Sequence, residues 1–162
     1  MKNLYLISLG LFLLFGCVHK TDHPKTENVN AEQPQAKLKV EKEKTLMAIH
    51  CIRSVNTEAI AFLRTALDQN RLQSEFPHHQ LLSRLNQCES TSNSRLESYK
   101  QGTKHLLYME STFIGMLFAG QKYNDNYPSS NFDKKFNQDL AKRISYWEAN
   151  DTPGVQLLSN VK

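Results

Sequence analysis

From Thr45 onward, apolar residues recur every three or four positions and show no sustained alternation, a spacing that favours helices over strands. Ala48, Ile52, Val55, Ala59, Leu63 and Ala66 form one such stripe, as an amphipathic helix requires. Only Gly102, Gly115, Gly120 and Gly154 follow residue 16, so the chain has few points at which to turn sharply. No internal repeat is present.

Breaks in this periodicity divide residues 45–162 into four helices. The first is expected from about Thr45 to Asn70. "QSEFPHHQ" interrupts it, with Pro77 placed to open a second helix carrying Leu81, Leu82, Leu85 and Cys88. "ESTSNS" supplies a turn, and Ser94 with Glu97 fits a capping box for a third. Gly120 is expected to end that helix near Ala119, and "QKYNDNYPSSN" reads as a long loop. The fourth starts near Asn131, with Phe132, Phe136, Leu140, Ile144 and Trp147 on one face. "NDTPG" is expected to stop it, and the tail Val155–Val161 to fold back. The predicted fold is all-α, a small bundle of about four amphipathic helices.

The N-terminal part is different. Val18–Lys44 has no aromatic residue, two prolines, and six lysines against five acids. Such a segment cannot bury enough apolar surface to offset its ordering entropy. It reads as a disordered, flexible tether, residues 17–44, with an r.m.s. reach of about 30 Å. Before it, Lys2 precedes an apolar run from Leu4 to Phe15 that ends at Gly16 and Cys17. The run is short for a membrane span and has the layout of a secretory signal.

The tetrad Leu14-Phe15-Gly16-Cys17 resembles the lipobox of bacterial lipoproteins. That resemblance implies a signal peptide over residues 1–16, cleavage before Cys17, lipidation of Cys17, and a domain held on a membrane by its N-terminal lipid. It covers the first 17 residues only. It places the domain in the cell envelope, facing the periplasm. Under the sorting rule of Gram-negative lipoproteins, Val18 in place of Asp implies the outer membrane. Cleavage would remove Lys2 and no acid, leaving 19 basic residues against 16 acidic, a net charge of +3. So mild an excess gives no case for nucleic acid as a partner.

Cys51 and Cys88 are then an even pair, and behind a secretory signal a disulfide is expected. A plain helical hairpin opposes it. Cys51 would lie about 30 Å from the turn and Cys88 about 16 Å, whereas a bridge needs Cα atoms within about 7 Å. Either the first helix breaks near Asn56-Thr57, or residues 71–77, which can span about 23 Å, run back along it.

On the third helix, Glu110 falls among Tyr99, Thr103, Leu106, Leu107, Phe113, Ile114 and Leu117. A carboxylate there needs a partner or a proton. Arg143, among Phe136, Leu140 and Trp147, and Asn56, near Ile52 and Leu63, are the candidates. Such a pair either fixes helix register or lines a cleft between the third and fourth helices. Ser111, Thr112, Gly115 and Ala119 lie on the opposite side, where small residues admit a second neighbour. Tyr123 and Tyr127, amphipathic side chains in the expected loop, are candidate contacts for a protein partner; the simpler expectation is that they tuck against the end of the bundle.

His19 and His23 are four residues apart but lie in the expected tether, and the other histidines show no zinc spacing, so no metal or cofactor is expected. G-x-S-x-G, H-E-x-x-H and G-x-x-x-x-G-K-[ST] do not occur. The expected function is therefore non-enzymatic: an envelope lipoprotein whose helical domain binds another envelope protein, in an assembly, exclusion or immunity role. The alternative is a small-ligand binder or enzyme with a Glu110/Arg143 cleft.

Overall fold

A computed structural model of the chain describes residues 32–161, with side chains from residue 35. Four helices account for most of it: α1 (Glu32–Asp68), α2 (His78–Gln87), α3 (Ser94–Asn126) and α4 (Phe132–Val161), with no strand among the described residues. The expected signal peptide, Cys17 and the first half of the expected tether lie outside the described residues.

Side-chain pairs fix the topology. Asn56 meets Thr103, and Leu72 meets Gln121, so α1 and α3 run parallel. Arg53 meets Asp151 and Asn70 meets Asn137, so α4 runs against α1. α2 runs against both α1 and α3, bonding through Arg84 to Glu58 and packing the His78 ring at a tilt on Tyr108. The result is an up-down-up-down bundle in which α1 packs most extensively on α4. The α1 stripe from Ala48 to Ala66, Leu81 and Leu85 of α2, Leu96, Leu107 and Ile114 of α3, and Phe136, Leu140 and Trp147 of α4 make one core.

α1 begins at Glu32, thirteen residues before the expected start at Thr45. The composition of this segment correctly excludes a core of its own, since residues 35–44 are all exposed. It does not exclude a helix. Ala36, Lys37, Leu38, Lys39, Glu41, Lys42, Glu43 and Lys44 are good helix formers, and extending a helix already nucleated by packing costs little.

The end of α1 is built by Asn70. Its φ of 51° lets its N–H reach the Leu67 carbonyl at 3.1 Å and the Arg71 N–H reach the Ala66 carbonyl at 2.9 Å. These are the two bonds of a Schellman motif. Pro77 does open α2, at its N-cap. For α3 the N-cap is Asn93, not Ser94. The Asn93 carboxamide accepts from the N–H groups of Arg95 at 3.0 Å and Leu96 at 3.2 Å.

Two helices run past their expected ends. α3 passes Gly120 and continues to Asn126, because Gln121 is buried and bonds both backbone groups of Leu72, at 2.8 and 3.0 Å. That leaves residues 127–131 as the loop. α4 passes Pro153 and reaches Val161, so the tail does not fold back. Pro153 has no N–H to give the Ala149 carbonyl, but Gly154 and Leu157 are buried and Leu158 and Val161 pack on the core. Packing on both sides of the proline outweighs the missing bond.

Candidate functional site

Cys51 and Cys88 are bridged, with Cα atoms 5.6 Å apart. α1 is unbroken at Asn56-Thr57, so the second geometric solution is the one used. Cys51 lies about 26 Å from the end of α1 and Cys88 about 15 Å from the start of α2. The connection 69–77 makes up the difference by descending α1. Phe76 packs edge-on against Phe62 with ring centroids 5.4 Å apart.

Glu110 and Arg143 form the buried pair expected of them. Arg143 Nε donates to Glu110 Oε1 at 2.6 Å. Glu110 is fully buried, and Arg143 is 8% exposed. Burial raises the Glu110 pKa above the ordinary carboxylate value. The hydrogen bond and charge of Arg143, and the nearby Trp147 indole, pull it back only in part. Glu110 Oε2 and Trp147 Nε1 are left without well-formed hydrogen bonds. Two rings flank the guanidinium, Phe113 at 4.8 Å and Tyr146 at 5.1 Å, which suits a weakly hydrated cation. The two groups do not share a cleft. A shallow groove of about 440 Å³ is lined by Tyr108, Met109, Phe113, Met116 and Arg143, but not by Glu110.

Asn56 is not a partner of Glu110. It centres a second buried cluster that joins α1, α3 and α4. Its Nδ2 donates to Tyr99 Oη at 2.6 Å and Thr103 Oγ1 at 3.2 Å, and its Oδ1 accepts from Asn150 Nδ2 at 3.2 Å. Tyr99 Oη in turn donates to Asp151 Oδ1 at 2.6 Å. Arg53 closes the chain, donating through Nε and Nη2 to Asp151 Oδ2 at 3.1 and 2.8 Å. Burial, then the bond to Asp151, pushes the Tyr99 hydroxyl far above its ordinary pKa, so it remains a donor. The Asp151 bond holds Arg53 above its ordinary value as well. Tyr99, Asn150 and Asp151 were not singled out from the sequence as polar contacts. Tyr99 counts as an apolar stripe member there, and the other two sit in a segment that reads as a helix stop.

Tyr123 and Tyr127 do not tuck against the bundle. Each is 66% exposed, and their rings lie 5.0 Å apart. Tyr123 is in α3 and Tyr127 caps it. Thr112, Gly115 and Ala119 are exposed too, so no described residue fills the second packing side that their small size suggests.

Among the histidines, His78 lies against His79 at 5.0 Å and Tyr108 at 5.2 Å. Burial, helped by His79, lowers its pKa. Among the described residues, no group of three or more His, Cys, Asp or Glu side chains converges as a metal site would need. Compared with protein-family models, curated proteins and solved structures, the chain matches none of them.

Proposed function

We propose that the protein is a non-enzymatic lipoprotein of the cell envelope, tethered through Cys17, whose helical bundle works by binding protein. The observation that carries this reading is the outer side of α3. His105, Tyr108, Met109, Thr112, Gly115, Met116, Ala119 and Tyr123 lie on one face of the helix and Tyr127 at its C-cap, all exposed and none carrying a formal charge. A soluble helix normally gives its outward face to charged residues, and an extended apolar face is the mark of a surface that meets another molecule. Further support comes from the polar groups. Glu110, Arg143 and Asn56 are engaged with one another's helices, so they hold the bundle in register rather than face a substrate. The Cys51–Cys88 bridge suits an oxidising compartment outside the cytoplasm. The outer membrane and a role in assembly, exclusion or immunity remain part of the proposal.

Two measurements test it. Metabolic labelling with a fatty acid should mark the full chain, and Cys17→Ser should abolish the label and release the protein from membranes. Crosslinking in the native envelope should recover a protein partner at stoichiometric yield through the α3 face. An unlabelled wild-type chain, or a face that crosslinks to no protein, counts against the reading.

A further inference from the structure

The geometry points to a second copy of this chain as the occupant of the α3 face, in an antiparallel α3–α3 dimer with its two-fold axis beside Gly115 and Met116. This rests on taking the face as protein-binding and adds the identity of the partner.

Gly115 carries the first step. A glycine inside a helix weakens it relative to alanine, so the position needs a reason. Among the described residues there is none. Gly115 has no left-handed φ, and a Cβ built on it meets nothing within 4 Å. Contrast Gly154, where an added Cβ would fall 2.7 Å from the Tyr99 ring and hydroxyl. The bare backbone at Gly115 is useful to something that approaches from outside.

The pattern around Gly115 says what fits. Along the stripe, side chains run Tyr108, Thr112, Gly115 with Met116, Ala119, Tyr123: large, small, centre, small, large. The order of sizes is nearly the same in both directions. An antiparallel copy would set Tyr108 opposite the other copy's Tyr123 and Thr112 opposite the other's Ala119. That is the self-complementarity an isologous two-fold contact demands. A stripe without formal charge brings no like-charge repulsion when it meets itself.

The area is also adequate. Tyr108, Met109, Met116, Tyr123, Tyr127 and the neighbouring Tyr146 of α4 are each 41–66% exposed. Together they leave on the order of 700 Å² uncovered, taking 150–250 Å² for each whole side chain. A standard protein interface buries about 800 Å² per partner. His105, Thr112 and Ala119 add to this, so the face reaches the size of a specific dimer contact.

Thiol crosslinking of the full chain in its native envelope tests the proposal. Met116→Cys should give, under mild oxidant, a disulfide-linked species of twice the chain mass that reductant collapses. The wild type and Ala61→Cys, on the exposed side of α1, should not. Thr112→Arg placed in the Met116→Cys chain buries guanidinium groups in the seam and should cut the crosslinked fraction at least tenfold. Because Thr112 is exposed, its helicity and melting temperature should stay unchanged. Sedimentation of the purified full chain in detergent should show a concentration-dependent dimer that Thr112→Arg converts to monomer. If Met116→Cys links instead to a different protein, the self-association falls while the protein-binding reading stands. If it links to nothing and the chain sediments as a monomer at every concentration, both fall.

Discussion

Phe76 folds back onto Phe62 with ring centroids 5.4 Å apart and planes at 79°, a contact that marks the retreat of the 69–77 connection along α1, the path by which an unfavourable cysteine spacing becomes a bridgeable one. The connection 69–77 does not turn at the tip of α1. It retreats along the helix until α2, starting from Pro77, is short enough to bring Cys88 level with Cys51.

Removing the bridge should therefore cost stability without changing the register that packing already sets. The double variant Cys51→Ala, Cys88→Ala is expected to lose about 4 kcal/mol by the loop-entropy treatment, read from urea melts with the wild type as reference. Phe76→Ala should lose about 3 kcal/mol yet still form the bridge. A native, unreduced wild type that takes up two thiol-alkylating groups would contradict the structure.

Glu110 predicts an unusual pH slope. Its folded pKa lies above its ordinary value of 4.5, chiefly through burial. An acid of this kind holds its proton more tightly when folded, so its contribution is greatest below the unfolded pKa and is lost as pH rises through the folded one. Glu110→Gln keeps an acceptor for Arg143 and removes the ionisation. Its stability relative to wild type should improve as pH rises from about 4 toward neutrality, at up to about 1.4 kcal/mol per unit. Glu110→Ala, which strands the guanidinium, should cost about 3 kcal/mol at neutral pH. Chemical denaturation across that range reads both, and a difference that falls with pH would mean that Arg143 outweighs burial.

The Asn56 cluster should behave as a unit. Asn56→Ala removes partners from Tyr99, Thr103 and Asn150 at once, and a loss of about 2 kcal/mol or more is expected. Coupling is the sharper readout. Asn56→Ala and Tyr99→Phe should be strongly non-additive in a double-mutant cycle, whereas Asn56→Ala and the distant Gln121→Ala should add.

Two glycine-to-alanine substitutions should move in opposite directions. Gly154→Ala drives a methyl into the Tyr99 ring, which bonds to Asn56 and Asp151 keep from retreating. A loss of about 1–3 kcal/mol follows. Gly115→Ala meets open space and should stabilise the isolated chain by about 0.5–1 kcal/mol. Thermal melts at low protein concentration separate the two.

The existence and order of the four helices, and the pairing of Glu110 with Arg143, were legible because burial imposes a 3.6-residue period and a lone buried charge demands a partner. The C-terminal ends of α3 and α4 were not. Gly120 and Pro153 are local stop signals, and each is overridden by contacts far away in sequence, Gln121 with Leu72 and Gly154 with Tyr99. The helical start of α1 was missed for a related reason. Charge and low hydrophobicity report the lack of a core, and residues 35–44 have none, but their intrinsic helix propensity is a separate property. The Asn56 cluster was half visible. Its centre shows as a polar residue on an apolar stripe, whereas Asp151 gives no sign in sequence that a tyrosine and an arginine converge on it.

The carboxamide of Gln121 presents to Leu72 the donor and acceptor that a neighbouring strand would offer. One side chain thus stands in for a piece of sheet in a protein that has no strand among its described residues. The connection it clamps is the same one whose retreat along α1 aligns the two cysteines. A residue on α3, touching neither sulfur, therefore helps fix the path of the connection that brings Cys88 level with Cys51.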